Sequence, residues 1–400
     1  MAAKQAMTPR LKIQSVWWEW IGKDDAMVDF GRRQLVRLGV VAPVAISLTR
    51  CTSDRRSEVG QPTIQPSEFF MPAEEEPHSA TWMCFPGRRT VWGQYLEEAQ
   101  ESIATIALTV AEFEPVRMLV RPRDRAIAAD LVGSDVELIE APVDDLWARD
   151  TLPLFLVSNA GRLSAARVEF NGWGDKQIHA GDTTLAGIVA DAAGVALLET
   201  GLVGEGGGLE TDGDGTLLAA RSSWVNDNRN PGWSEEEIAD TLTAALGADR
   251  LLWVDGVAGE DITDGHIDTL ARFANPQTII HEYTSYTEPG ETWYDLAQAT
   301  ADELAAFETL DGQPYDFVAL TQPATNRQPN NPDFLASYVN YYVCNGALIM
   351  SAFGDEAADR LAQEQLGELY PDREVVAINI DGVSAGGGGI HCATQQQPAV

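Results

Sequence analysis

Four chemically reactive side chains recur along this chain at a near-constant interval. Asp150, Glu205, His266 and Cys392 are separated by 55, 61 and 126 residues, the last gap being about twice the one before it. Such spacing suits a chain of successive modules of about 60 to 65 residues, each contributing one group to a shared place, and the stretch from Gln65 to Pro398 would hold five of them. No letter-by-letter repeat accompanies the spacing.

Within that stretch, β-branched or aromatic runs bounded by Gly, Pro or Asp predict strands at Val116 to Val120, Val136 to Ile139, Leu154 to Val157 and Ala166 to Phe170. Apolar residues at helical spacing predict amphipathic helices at Tyr95 to Glu114, Ser234 to Leu246, Trp293 to Leu310 and Glu356 to Leu369. The class is α/β or α+β. The chain has 400 residues, of which 44% are apolar, enough for a sizeable core.

Charge narrows the function. There are 61 acidic against 27 basic residues, a formal net charge of −34, so nucleic acid is a poor partner. The acidic residues are spread over the whole chain, and after residue 60 the one lysine is Lys176. This pattern suggests adaptation to high salt; an acidic proteome that prefers arginine is the alternative. A cationic substrate would be drawn to such a field, although molar salt screens that attraction to within about 3 Å. Cys51, Cys84, Cys344 and Cys392 lie far apart with no regular spacing, which argues against a disulfide framework or a zinc site.

The first 60 residues read as a separate segment. Arg32-Arg33 precedes an apolar stretch from Leu38 to Leu48 that is too short for a stable membrane span, and together they read as a twin-arginine export signal. Cys51 follows directly and raises lipid anchoring, against which stands Arg50 where lipoprotein signals carry a small residue. Signals of this kind begin close to the initiator, so Met27 is a candidate start. The alternative is a cytoplasmic protein with a chance basic and apolar prefix.

The chemistry-bearing motifs begin near the C-terminus. Gly386-Gly387-Gly388-Gly389-Ile390-His391-Cys392 runs four glycines into a His-Cys pair, a costly arrangement usually kept for conformations or close approaches that other residues forbid. It suits a loop presenting a nucleophile whose thiolate would be favoured by the charge of a bound guanidinium. An isolated cysteine is more often a small core residue. In Asp264-Gly265-His266-Ile267-Asp268, His266 and Asp268 would share one face of an extended strand, His266 moving protons and Asp268 binding a cation, or the two simply pairing with each other. In Asp144-Asp145-Leu146-Trp147-Ala148-Arg149-Asp150, Asp150 could clamp a guanidinium against Trp147, or Arg149 could pair with Asp145 beside a core tryptophan. Glu205 opens Glu205-Gly206-Gly207-Gly208; the nearby Asp212-Gly213-Asp214-Gly215 lacks calcium-loop spacing and reads as a hairpin turn. Neither His-Glu-x-x-His nor a phosphate loop is present.

Together these motifs resemble the agmatine deiminase and bacterial peptidylarginine deiminase family. The resemblance extends over about 330 residues, in order from Met71-Pro72-Ala73-Glu74 to Gln397, through Phe170-Asn171-Gly172-Trp173-Gly174, Asn228-Arg229-Asn230-Pro231 and Ser337-Tyr338-Val339-Asn340. It implies a single catalytic domain over 65–398 and an α/β fold, the five-bladed propeller of ββαβ modules with pseudo-fivefold symmetry called a pentein. It also implies a hydrolase for a small guanidine substrate, without metal or organic cofactor. By position it makes Cys392 the nucleophile, His266 the general acid and base, Asp150 and Asp268 the guanidinium clamps and Glu205 a further pocket carboxylate, with Trp147 and Asn340 lining the site.

Four positions depart from the family pattern: Glu75 and Phe85 each replace a tryptophan, Glu210 a histidine and Gly389 an asparagine. These departures put recognition at the pocket mouth in doubt. Agmatine is the expected substrate; a peptidylarginine or free-arginine deiminase is the runner-up, and a non-catalytic guanidine-binding protein is the reading from another class. A homo-oligomer is left open.

Overall fold

The computed structural model describes residues 68–284 and 290–400. The export-signal-like segment, with Met27, Arg32, Arg33 and Cys51, lies outside the described residues.

The described chain is an α/β protein with five sheets of three or four strands. One strand pattern recurs in all five. A first strand pairs antiparallel with a second, and a helical crossover returns the chain to a third strand parallel to the second, as parallel pairing requires. Leu154–Ser158, Leu163–Glu169 and Leu197–Val203 form one such unit. Leu209–Thr211, Thr216–Ala220 and Arg250–Val254 form the next. Ala271–Asn275, Thr278–Tyr283 and Asp316–Thr321 follow, then Tyr342–Cys344, Ala347–Ser351 and Glu374–Ile378. The fifth unit joins the two ends of the sequence: Thr394–Pro398 pairs antiparallel with His78–Cys84, which runs parallel to Val116–Val120. The indole of Trp82 donates to Gln397 Oε1 across this seam at 2.9 Å.

The crossover helices bury one face each. Leu96–Ala111 places Ala99, Ile103, Ile106, Ala107 and Val110 against the fifth sheet's core, where Met83, Met118 and Val120 are fully buried. Glu235–Leu246 starts at a capping box of Ser234 and Glu237 and stops at Gly247, whose φ of 66° suits a left-handed cap. Glu356–Leu369 begins at Asp355, whose side chain accepts from Ala358 N.

Most expected elements are present with edges moved for identifiable reasons. The first helix ends at Ala111 rather than Glu114, because the residue before Pro115 is steered out of the helical region. The helix expected to reach Leu310 stops at Leu304, and a turn with Gly312 at φ 71° redirects the chain into Asp316–Thr321. The strand expected at Ala166 to Phe170 is Leu163–Glu169. The larger correction concerns His266 and Asp268, which do not share a strand face. Asp264 and Gly265 have φ of 63° and 88°, which breaks the extended chain, and Ile267–Thr269 forms a 3-10 turn ahead of Ala271–Asn275. Asp212 to Gly215 is the hairpin turn expected: Asp212 N bonds Thr216 O, and the Asp212 side chain accepts from Asp214 N and Thr216 N. Among the described residues no helix is long and apolar enough to cross a membrane.

Candidate active site

Every candidate residue sits just ahead of the first strand of a sheet. Asp150 lies in the one-turn helix Ala148–Thr151 before Leu154–Ser158. Glu205 precedes Leu209–Thr211, and His266 and Asp268 precede Ala271–Asn275. Asn340 precedes Tyr342–Cys344, and Cys392 precedes Thr394–Pro398. The sequence interval is therefore the module length, and Asn340 falls inside the doubled gap between His266 and Cys392.

Gly207 is the point around which three of these groups gather. A methyl placed on it would lie 2.7 Å from His266 Nδ1, 2.8 Å from Asp150 Oδ1 and 3.2 Å from Asp268 Oδ2, so only glycine leaves the space open. Cys392 joins through Asp268, its Sγ lying 3.3 Å from Oδ2. Asn340 donates from Nδ2 to that sulfur at 3.1 Å and accepts from the Cys392 amide at 3.3 Å. All of these residues are buried. The open clefts of about 520 and 510 Å³, one near Phe69 and Gly215 and one near Glu75 and Tyr370, contain none of them.

Each carboxylate is held differently. Asp150 accepts from the Trp173 indole at 3.0 Å on Oδ2 and from Gly207 N at 3.0 Å on Oδ1. Trp173 reaches it from a left-handed backbone, φ 56°, within Gly172–Asp175. Glu205 accepts Arg229 Nε at 2.9 Å and lies 3.2 Å from His266 Nε2. Asp268 Oδ2 accepts from His391 Nδ1 at 2.8 Å, whereas Asp268 Oδ1 is buried with no hydrogen-bond partner among the described residues. A buried carboxylate oxygen in that state is an acceptor poised for a donor.

The electrostatics separate the groups. Burial pulls His266 towards the neutral form, but Asp150, Glu205 and Asp268 outweigh it and raise its pKa to about 9. Burial raises Asp150 to about 6, the charge of His266 opposing the rise. Burial also pushes Glu205 and Asp268 up, yet Arg229 and His266 hold Glu205, and His391 holds Asp268, below the usual carboxylate range. The Cys392 thiol is pushed well above its usual value by burial and by the carboxylates of Asp268 and Asp150.

The glycine run closes over two tryptophans. A methyl on Gly388 would lie 2.2 Å from the Trp147 ring, and one on Gly386 would lie 2.4 Å from Trp92. Trp147 is buried against Trp92, ring centroids 6.0 Å apart. Arg149 does not pair with Asp145. It bonds Glu74 Oε2 at 2.9 Å and Gln396 Oε1 at 2.8 Å, while Asp145 accepts from the Trp92 indole, the Gln177 amide and the Leu146 amide. Two of the four departures lie away from the candidate residues and two beside them. Glu75 lines the separate cleft near Tyr370 and Phe85 is core. Glu210 pairs with Arg272 at 2.9 Å, and a methyl on Gly389 would meet Asn340 Oδ1 at 2.4 Å. Sequence reasoning did not single out Trp173 or Glu74. Both stood in motifs of the resemblance, but nothing in one dimension shows that they reach Asp150 and Arg149.

Carboxylates, a histidine and a cysteine, brought by successive α/β modules to one buried point, are the arrangement expected of a guanidine-modifying deiminase. A model of the Porphyromonas-type peptidyl-arginine deiminase family matches residues 70–398. A Streptomyces coelicolor protein named "putative agmatine deiminase" is 37% identical over 338 residues, covering 82% of this chain and 99% of that one. The solved structure of an agmatine deiminase of Enterococcus faecalis is similar with TM-score 0.77 at 28% identity, covering 83% of this chain and 96% of that one. A C. jejuni agmatine deiminase with substrate bound is similar with TM-score 0.74 at 25% identity, over 82% and 96%. The chain belongs to the Porphyromonas-type peptidyl-arginine deiminase family. Among the described residues no group of three or more His, Cys, Asp or Glu is arranged to hold a metal ion.

Proposed function

We propose that this protein is an agmatine deiminase, hydrolysing the guanidinium of agmatine to N-carbamoylputrescine and ammonia, on a five-bladed propeller whose blades are the five sheets. The observation that carries this reading is the convergence of His266, Asp150 and Asp268 on Gly207, with Cys392 against Asp268.

Asp150 and the unpartnered Asp268 Oδ1 receive the guanidinium N–H groups and fix its plane, with Trp147 and Asn340 bounding the site. The guanidinium charge lowers the thiol pKa, and the Cys392 thiolate bonds to the guanidinium carbon. Protonated His266 gives its proton to the departing nitrogen, which leaves as ammonia. The resulting S-alkyl thiouronium takes up water, one of whose protons passes to His266. Collapse of that adduct breaks the C–S bond, restores the thiolate and releases the ureido product, the remaining hydroxyl proton passing to solvent. Glu205, shared between Arg229 and His266, keeps the imidazole charged and oriented.

The substrate's far end is favoured by the arginines. Arg149 pairs with Glu74, Arg229 with Glu205 and Asp264, and Arg221 with Glu235 and Asp255, so none of the three is left to meet a substrate carboxylate. This supports agmatine over free arginine. Ammonia release from agmatine, arginine and an internal-arginine peptide, measured in high and low salt, tests the choice. Agmatine is expected to be turned over and the other two poorly; preference for the peptide would replace this reading with the peptidylarginine one.

A pH profile tests the assignment of protons. Below pH about 9 the free site carries a proton on both Cys392 and His266, whereas the reaction needs one between them. We therefore expect kcat/KM to rise about tenfold per pH unit towards about pH 9, and more steeply below about 6, where Asp150 takes up a proton. The rising limb of kcat lies at lower pH, because bound guanidinium favours the thiolate. A flat kcat/KM from pH 5 to 10 would separate Cys392 from His266.

Export by a twin-arginine-type route is proposed from Arg32, Arg33 and the apolar 38–48 stretch. Fractionating cells that express the full chain should place it outside the cytoplasm, and R32K/R33K should retain it. Cytoplasmic recovery of the parent chain would reject export.

A further inference from the structure

The residue ahead of the nucleophile sits among groups the reaction scheme does not use. His391 is buried, and both of its ring nitrogens face carboxylates: Nδ1 lies 2.8 Å from Asp268 Oδ2, and Nε2 lies 3.0 Å from Glu74 Oε2, with Glu210 Oε1 at 3.6 Å. Ionised carboxylates only accept hydrogen bonds, so a ring bonded to one at each end donates from both nitrogens and carries a positive charge.

Further charges fix this geometry from behind. Arg149 and Arg272 reach Glu74 at 2.9 and 3.1 Å, and Arg272 also reaches Glu210 at 2.9 Å. Glu74 Oε1 accepts from Val343 N at 2.9 Å, in the strand that follows Asn340. Arg272 is itself fully buried. Removing the His391 ring would leave Asp268 without its backing hydrogen bond, 3.3 Å from the nucleophile's sulfur.

We propose that His391 is a positioning residue, a charged link between Asp268 and Glu74 that aims the free Oδ1 of Asp268 at the substrate guanidinium and offsets the negative charge of Asp268 beside Cys392. The ring touches no substrate atom and acts through Asp268. The link is consistent with the depressed Asp268 pKa, where burial raises the carboxyl and the His391 hydrogen bond and charge, with the charge of His266 and the Cys392 hydrogen bond, lower it further. Glu210 stands on the same side of the ring, its Oε1 3.6 Å from the outer nitrogen and beside Glu74.

The substrate arm of this inference rests on the agmatine reading; the alkylation arm does not. Alkylation of Cys392 by iodoacetamide, read as the mass of its own peptide across pH 6 to 10, reports thiol ionisation without any guanidine. H391Q, which can still donate one hydrogen bond but bears no charge, is expected to move that alkylation profile to higher pH. It should also lower kcat/KM for agmatine about 10²-fold, mainly through KM, and shift its rising limb upward. E210Q leaves both ring contacts of His391 in place and removes one negative charge, so its alkylation profile should stay with the parent's or move to lower pH. H391F is expected to move the profile to higher pH by more than H391Q, and H391Q keeps the test open if H391F fails to fold. An H391Q alkylation profile that superimposes on the parent's would overturn the proposal, as would an H391Q activity loss without any change in pH dependence or an upward shift in E210Q as large as that in H391Q. If the parent itself does not turn over agmatine, the proposed substrate is rejected while the alkylation arm still decides the role of His391.

Discussion

Cys392→Ala is expected to abolish ammonia release from agmatine, lowering kcat by at least about 10⁴-fold, because no other group near Gly207 can form the covalent intermediate. The chain should still fold. Cys392 is a small side chain whose sulfur contacts Asn340 and Asp268, and alanine keeps the backbone bond from Cys392 N to Asn340. It should also still bind agmatine, because Asp150 and Asp268 are untouched. Calorimetric titration of the variant with agmatine should show a dissociation constant within about tenfold of the parent KM, since the clamps rather than the sulfur supply ground-state affinity. Residual turnover above about one per cent of the parent would remove Cys392 from the nucleophile's role.

Asp268→Asn should have the second-largest effect, and it separates two jobs that one carboxylate performs. Turnover should fall at least about 10³-fold, since the variant loses a charge from the guanidinium clamp and keeps one acceptor oxygen where the carboxylate has two, one for His391 and one for the substrate. Thiol reactivity should move the other way. The Asp268 charge raises the Cys392 pKa, so its removal should let the thiol ionise at lower pH and react faster with iodoacetamide. A variant that loses turnover while its cysteine becomes easier to alkylate would show that Asp268 serves the substrate at the cost of the free nucleophile. Slower alkylation in Asp268→Asn would mean that the thiol depends on Asp268 for more than charge.

These opposed effects follow from the charges around Cys392 and His266. A buried thiol between two carboxylates is held in the neutral form, and a histidine among three carboxylates is held in the charged form. On the proposed mechanism, a guanidinium against Asp150 and Asp268 would reverse the first of these while leaving the second in place. The substrate's own charge would then be part of the nucleophile's activation, a lever that the neutral ureido product lacks.

The sequence by itself determined the module length, the α/β class and the candidate side chains that the structure brings together. Those follow from local causes: β-branched runs, helical apolar spacing, caps such as Ser234 with Glu237, and glycine runs that only close packing repays. It also placed Asp150 just ahead of an apolar strand, but it put His266 and Asp268 on a strand rather than ahead of one. What the tertiary structure decided is how those turns meet. Left-handed backbone at Asp264 and Gly265 turned an apparent strand pair into a 3-10 turn, a change that the letters Asp-Gly-His-Ile-Asp permit but do not require. Arg149 found Glu74, 75 residues away, rather than neighbouring Asp145. His391, read as half of a His-Cys pair, lies between Asp268 and Glu74, 123 residues from the first. Pairing of buried charges is set by which turns converge on one point, and that convergence depends on the stacking of whole sheets, a long-range property that no local window of the sequence contains.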